Sequence, residues 1–235
     1  MIESILEFQP TALHSVVAAL CALPEGLRPT HHSLGEDEAG KPILNTGKFL
    51  ESLTGAKLGP FLRGPGVIYD IRLAGSKPIL CNCFLEVDPA LAKEFLIQMA
   101  TAQPIFGFAC ASEERTHRNR VIVKQGVNTI ESWVGRDPQK YIPGFYWLTL
   151  LPKALAEKHD VPLSAVEKIA KEHIELEGGQ HLFRFYERPE DWRTAPDVAA
   201  LCSSLPGVFD VEKVKPLLPA AKNFLDLDEV LRSWK

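Results

Sequence analysis

The segment from residue 66 to residue 111 limits the possible folds of this 235-residue chain more than any other. Apolar and polar residues alternate in GVIYDIRL, the turn AGSK follows, and PILCNCFLEV returns as a second apolar run, which predicts an antiparallel pair of strands. Asp88 and Pro89 are residue types preferred at the N-cap and first position of a helix. PIFGFACA then predicts another strand, so the order of this region is ββαβ.

The rest of the chain extends this order to two similar halves. Residues 2–8 predict a strand and TALHSVVAALCAL predicts a helix, so the first half has the order βαββαβ of a ferredoxin-like fold. The second half repeats it with GFYWLTLL, the helical PKALAEKHDVPLSAVEKIAKEH, a hairpin turning at Gly178-Gly179, the helix APDVAALCSSL and the apolar GVFDV. We therefore predict an α+β protein with two ferredoxin-like-ordered (βαββαβ) halves and mainly antiparallel sheets.

The boundaries of the halves follow from charge and turn residues. We expect an N-terminal α+β half over residues 1–111 and a charged connecting segment over residues 112–127. The C-terminal α+β half then covers residues 128–235. It is predicted to end in a helix, because NFLDLDEVLRSWK carries apolar residues at helical spacing.

Composition and charge exclude several classes of function. The chain is 46% hydrophobic and 24% charged with a net charge of −4, which is typical of a soluble globular protein. No Lys/Arg cluster forms a basic patch, so direct binding to nucleic acid is not expected. No apolar run approaches ~18 residues and MIESILEFQP lacks the features of a signal peptide, so we expect no membrane span and a cytoplasmic protein.

Neither the cysteines nor the histidine pair predicts a metal site or a cofactor. The five cysteines are an odd number and mostly lie in apolar runs, which indicates reduced, buried thiols. Cys81 and Cys83 share one face of a predicted strand, but a metal site there would need a second ligand pair. His31 and His32 point to opposite faces of an extended chain and make a poor chelate. The sequence contains no phosphate loop, dinucleotide fingerprint or nucleophile elbow.

The stretch EGGQHLFRFYERPEDW concentrates polar residues at the end of a predicted strand. Alternation places His181 on the same side as Phe183 and Phe185, which favours a packed, hydrogen-bonded histidine over a catalytic base. The carboxylates that follow, in ERPEDW, could act as acid and base only in a pocket that shifts a pKa. We therefore interpret the stretch as a core strand followed by an acidic loop that carries a tryptophan and serves as a contact surface.

The same stretch, together with YIPGFYWLTLLPKALA and LPGVFD, resembles the C-terminal part of bacterial immunity proteins of polymorphic and type VI secreted toxins. GLRPTHHSLGEDEAGKPI and FLRGPGVIYDI fit the same pattern in the first half. The family it resembles is the Immunity protein 52 family. The resemblance implies a protein without catalytic residues or cofactor that binds a cognate toxin in the cytoplasm and blocks it. The implied toxin is a nuclease of the restriction-endonuclease type.

Acidic loops are the expected contact with such a toxin, since an acidic surface could occupy the basic groove of a nuclease. The candidate toxin-binding residues are Glu36, Asp37, Glu38, Glu187, Glu190, Asp191 and Trp192. Two other classes of function stay open. One is a binding or adaptor module for a small ligand, and the other is an enzyme whose catalytic residues are scattered along the chain.

Overall fold

The computed structural model describes residues 1–36, 38–125, 127–221 and 223. Within these residues, ten strands form one sheet and two form a separate hairpin. The strands are β1 (Ile2–Phe8), β2 (His31–Ser33), β3 (Lys41–Pro42), β4 (Phe61–Gly64), β5 (Val67–Arg72), β6 (Ile79–Leu85), β7 (Phe106–Ala111), β8 (Arg120–Gln125), β9 (Asn128–Trp133), β10 (Leu148–Pro152), β11 (Glu172–Leu176) and β12 (Gln180–Arg184). The α-helices are α1 (Leu13–Ala22), α2 (Thr46–Ser52), α3 (Pro89–Met99), α4 (Ser112–Asn119), α5 (Lys153–Lys158), α6 (Leu163–Ile169), α7 (Pro196–Ser204) and α8 (Val211–Val214).

The large sheet has the strand order β11-β12-β10-β7-β1-β6-β5-β4-β2-β3, and its paired strands are antiparallel. The predicted α+β class with a mainly antiparallel sheet is therefore confirmed. The sheet runs through both predicted halves, because β7 pairs with β10 and brings Phe108 opposite Thr149. β8 and β9 pair with each other outside this sheet.

Helices pack on both faces of the sheet. Tyr69 of β5 stacks on Phe95 of α3 with 5.8 Å between ring centroids, and Tyr69 shares its face with its cross-strand partner Cys83. Glu3 of β1 forms an ion pair with Arg115 of α4. Because Ser4 is the partner of Cys83 on β6, alternation points Glu3 to the opposite face. α3 and α4 thus lie on opposite sides of the sheet.

Two local predictions about element ends are confirmed. The Asp88 side chain accepts a hydrogen bond from the Leu91 amide at 2.9 Å, and Pro89 is the first residue of α3. The hairpin of β11 and β12 also forms, with the 3-10 turn Glu177–Gly179 between the strands. In both places the signal lies within a few neighbouring residues, which is why the sequence carries it.

GVFDV does not form the predicted last strand of the second half. Only Val208 pairs, in an isolated parallel bridge with Ile142, and α8 begins at Val211. The reason is that β10 is already flanked by β12 and by β7, so the edge that this strand would extend is occupied. The prediction of that strand is wrong.

The segment 112–127 is more than a connection, since it contains α4 and β8. The segment between α1 and α2 likewise contributes β2 and β3 to one edge of the sheet. The predicted C-terminal helix falls in residues 224–235, which lie outside the described residues. None of the helices in the described ranges is both long and apolar enough to cross a membrane.

Candidate functional site

The structure separates the two groups of predicted contact residues, and one of them lies at an edge of the sheet. Glu36 and Glu38 lie in the loop between β2 and β3, and Asp37 lies outside the described residues. Glu187 to Trp192 follow β12, the second strand from the other edge. The Pro189–Thr194 turn, which contains Trp192, packs against β7, and β7 and β2 are five strand positions apart, which at the usual spacing is about 25 Å. The two groups therefore form two separate surfaces.

The loop between β2 and β3 is fastened to β4 by Arg63. The Arg63 guanidinium donates to the carbonyl oxygen of Glu38 at 3.2 Å and also to that of Glu36. The Glu38 carboxylate accepts from the Leu34 amide at 3.1 Å. The acidic side chains of this loop are thus accompanied by an arginine, which reduces the local negative potential.

The acidic residues after β12 take part in local structure to different degrees. Glu187 forms ion pairs with Arg184 and, at 3.9 Å, with Lys171. Asp191 accepts a hydrogen bond from the Arg188 amide at 3.0 Å, which begins the 3-10 turn Pro189–Thr194. Glu190 is exposed. Much of the negative charge of this segment is therefore neutralised or used to fix the turn.

Trp192 forms one wall of an open groove between α4 and the segment leading into α7. The half-buried indole is close to the His117 ring, 5.0 Å away between centroids, and to the Arg193 guanidinium, 4.7 Å from the ring centre. The groove has a volume of about 810 Å³. Its lining consists of Ser112, Glu113, Thr116, His117, Arg118, Trp192, Arg193, Ala195 and Ala199. We call it the Trp192 groove.

Arg118, which lines the Trp192 groove, belongs to a buried ion pair. Glu114 is completely buried, and its carboxylate accepts from Arg118 Nε at 2.9 Å and from the Tyr186 hydroxyl. Burial raises the pKa of Glu114, while Arg118 and the Tyr186 hydrogen bond oppose the rise. Burial alone would lower the pKa of Arg118, but the Glu114 carboxylate raises it above its ordinary value. The guanidinium therefore remains charged and has a fixed position.

The Tyr146 ring, over which the Arg118 guanidinium lies, is also fixed. Tyr146 stacks on Phe108 with 3.8 Å between centroids, and its hydroxyl donates to Asn119 Oδ1 at 3.1 Å. Asn119 in turn donates to the Val134 carbonyl at 3.0 Å. The Arg118 guanidinium lies 5.8 Å from the Tyr146 ring centre. This hydrogen-bonded layer connects the groove rigidly to β7 and α4.

His117, at the mouth of the groove, is surrounded by positive charge. Desolvation lowers the pKa of His117, and Lys215 and Arg118 lower it further, against the opposing effect of Glu212. The ring is therefore neutral at pH 7 and offers Trp192 an uncharged aromatic neighbour.

Of this site, the sequence predicted Trp192 but not Glu114, His117 or Arg118. These residues lie in SEERTHRN, where the density of charge predicted a connecting segment. The available signal was the spacing of Glu114 and Arg118, because opposite charges four residues apart are typical of a helix. The burial of Glu114 depends on Tyr186, 72 positions away, and has no local signal.

The remaining candidates for chemistry are structural in this fold. All five cysteines are free and buried, and Cys81 Sγ lies 3.6 Å from Cys83 Sγ. His32 packs on Phe49 at 4.4 Å between ring centroids, whereas His31 is exposed. Across the part of the chain that the structure describes, no three His, Cys, Asp or Glu side chains converge as metal ligands would.

Comparison of the chain with protein-family models, with curated proteins and with solved structures finds no significant match.

Proposed function

We propose that this protein is a binding protein and that it neutralises a cognate secreted toxin by docking it at the Trp192 groove. The observation that carries the proposal is the half-buried Trp192, which contacts His117 and Arg193 at the wall of an open groove. Tryptophan and arginine are the residues most enriched among those that dominate binding energy in protein interfaces. A rigid indole loses little conformational entropy when a partner covers it.

The identity of the partner rests on the resemblance to immunity proteins. ERPEDW, one of the segments that carries the resemblance, supplies the Trp192 wall of the groove. The proposed toxin is a nuclease of the restriction-endonuclease type, bound in the cytoplasm and without involvement of a cofactor, nucleic acid or membrane. The protein acts by binding, with no catalytic residues of its own.

The acidic loop between β2 and β3 has a different role in this proposal. At about 25 Å from the groove it lies away from the centre of a contact built on Trp192. Exposed charges at that distance still act on a basic partner as it approaches, mainly at low ionic strength. We therefore propose that Glu36, Asp37 and Glu38 accelerate the encounter, whereas the groove holds the complex together.

We also propose that the sheet derives from two βαββαβ units. The first unit is supported by the neighbouring strands β7-β1-β6-β5, and the second by β10, β12 and β11, which are adjacent in the corresponding order. In the second unit β7 occupies the place of the last strand. The two proposed units would thus share this strand position, which accounts for the continuous sheet.

The proposed function is tested by co-expression with each candidate toxin that is encoded beside the gene of this protein. We expect the two proteins to co-purify and the immunity partner to rescue cell growth. Trp192→Ala should weaken both effects, and Trp133→Ala serves as the matched control, because Arg115 lies over the Trp133 ring at 4.8 Å much as Arg193 lies over Trp192. If the wild-type protein neither binds nor protects against any neighbouring toxin, the proposal fails.

The second function that the geometry favours is a small-ligand module. The groove volume of about 810 Å³ lies within the range of ligand pockets, and its lining includes the charged Arg118. This function predicts a tightly bound metabolite and no dependence of its affinity on a protein partner. Mass spectrometry of the natively purified protein distinguishes it from toxin binding.

A further inference from the structure

The Arg118 side chain has donors that the fold does not use. Its Nε donates to Glu114, and among the described residues neither terminal nitrogen has a hydrogen-bond partner. Both terminal nitrogens are accessible to solvent, and the Arg118 side chain, which lines the Trp192 groove, is 17% exposed. A guanidinium has five N–H donors, so Arg118 keeps several of them available to a ligand in the groove.

This guanidinium is oriented before any ligand arrives. Glu114 is completely buried and accepts hydrogen bonds from the Tyr186 hydroxyl and from Arg118 Nε. The Nε edge of the planar Arg118 guanidinium is therefore fixed. The Tyr146 ring lies beneath it. A planar fork with one side fixed presents its other side as a pair of parallel donors, the arrangement that binds both oxygens of a carboxylate.

The charge and shape of the lining favour a singly charged ligand. Each of the two guanidinium groups at the groove already has one carboxylate partner, which is Glu114 for Arg118 and Glu113, at 2.7 Å, for Arg193. With His117 neutral, a lining balanced in this way takes one added negative charge at lower cost than the two of a phosphate. Trp192 and the alanines 195 and 199 provide apolar walls for the methylene groups of a side chain.

We propose that the Trp192 groove is a carboxylate-binding site that takes an Asp or Glu side chain of a protein partner. Arg118 binds both carboxylate oxygens through its free side, Arg193 adds charge at the rim, and Trp192 covers the methylene groups. This proposal rests on the proposed function in one respect, since it assigns the carboxylate to the docked toxin. The chemistry of the site can nevertheless be measured without any toxin.

The test is a titration of the full-length protein with two capped tripeptides, Ala-Glu-Ala and Ala-Gln-Ala, followed by NMR at the Arg118 Nε–H and Trp192 indole N–H signals. We expect saturable shifts of both signals with the glutamate peptide and affinity lower by about tenfold with the glutamine peptide. Equal responses to the two peptides, or shifts elsewhere only, would overturn the proposal. Inorganic phosphate that displaces the glutamate peptide and binds more tightly would overturn the assignment to a carboxylate.

All of the variants below keep a positive charge at position 118, beside the buried Glu114. Arg118→Lys retains the positive charge but loses the planar fork, so the preference for glutamate over glutamine should disappear in a folded protein. Arg193→Gln should weaken glutamate binding about threefold through the loss of an exposed charge. Arg72→Gln is the matched control, because Arg72 is also an exposed arginine in an ion pair, with Asp70. A preference that survives Arg118→Lys, or that Arg72→Gln reduces equally, contradicts the assignment.

Toxin binding separates this inference from the proposed function. If the glutamate peptide binds at Arg118 and no toxin binds, the carboxylate site stands and the immunity function fails. If the toxin binds and the peptide does not, the function stands and the site assignment fails.

Discussion

His173 Nε2 lies 3.0 Å from His181 Nδ1, which joins the two histidines across β11 and β12 by a hydrogen bond. The His173 ring also stacks on Phe183 at 4.6 Å between centroids, and its Nδ1 lies 3.5 Å from Glu167 Oε1. His181 is 6% exposed, and among the described residues its Nε2 is buried without a partner. The flanking phenylalanines predicted such a packed, hydrogen-bonded histidine.

The first prediction concerns stability in mildly acidic solution. The charged form of His181 is disfavoured in the fold, because burial lowers its pKa and His173 lowers it further, with Lys153 acting in the same direction and Glu175 and Glu167 opposing. Below the ordinary value of 6.5 the unfolded chain therefore binds a proton that the folded chain does not. Folding stability should decrease as the pH falls through that range.

His181→Gln tests this pH dependence. The substitution should cost about 1–2 kcal/mol at neutral pH through the weakened buried hydrogen bond, and the loss of stability between pH 7 and 5 should become smaller than in the wild type. Urea unfolding at several pH values measures both effects, with the exposed His14→Gln as control. Toxin binding by the folded variant should be unchanged, and an abolished function would show that His181 has more than a structural role.

The second prediction concerns Glu7, a carboxylic acid on the central strand β1 that is only 8% exposed. Burial, and next to it the charge of Asp137, raise its pKa from 4.5 to about 8, although Arg136 opposes the rise. The folded chain therefore binds a proton between these two values that the unfolded chain releases. Stability should fall as the pH rises through this window, with an upper limit of about 5 kcal/mol at and above pH 8.

Glu7→Gln removes this penalty. We expect the variant to be more stable than the wild type by on the order of 2–5 kcal/mol at pH 8 and nearly equal to it at pH 4.5. Thermal unfolding across this range gives the comparison, and the exposed Glu86→Gln should show no such trend. A gain in stability that does not vary with pH would contradict the raised pKa.

The sequence predictions that are confirmed in this protein depend on residues that are close together along the chain. The strand pair β5 and β6 follows from alternation over a few residues, and the start of α3 follows from Asp88 and Pro89. The joining of β7 to β10 depends on a register between Phe108 and Thr149 that no local pattern specifies. That one pairing determines both the continuous sheet and the exclusion of GVFDV from it.

The same limit applies to the prediction of the residues that form the Trp192 groove. Trp192 stands out in the sequence because a large aromatic residue follows a turn. The charged sequence SEERTHRN suggests that Glu114 is a surface residue. In the structure Glu114 is buried, and a hydrogen bond from Tyr186 and an ion pair with Arg118 stabilise it there. The chemistry of a buried charge depends on partners distant in the sequence, so it can be recognised only once the fold brings them together.

The third prediction assigns the acidic loop to the rate of encounter. Changing Glu36, Asp37 and Glu38 to Lys should slow association with the toxin, and added salt should remove the difference, because the loop acts by long-range charge. The dissociation rate should change little, since the loop lies about 25 Å from the groove. Surface plasmon resonance at low and high salt measures both rates. Faster dissociation that persists at high salt would place the loop inside the contact.

The fourth prediction assigns the groove to the lifetime of the complex. Trp192→Ala should raise the dissociation rate and weaken binding by about 2 kcal/mol or more, which is roughly a thirtyfold change in affinity. Because Trp192 also packs against the core, thermal unfolding must show that the variant is folded at the temperature of the binding measurement. Trp133→Ala removes another half-buried tryptophan with its own arginine, Arg115, over the ring, and should leave the dissociation rate unchanged. Equal effects of the two substitutions would indicate a general loss of stability, and unchanged rates for Trp192→Ala would remove the groove from the contact surface.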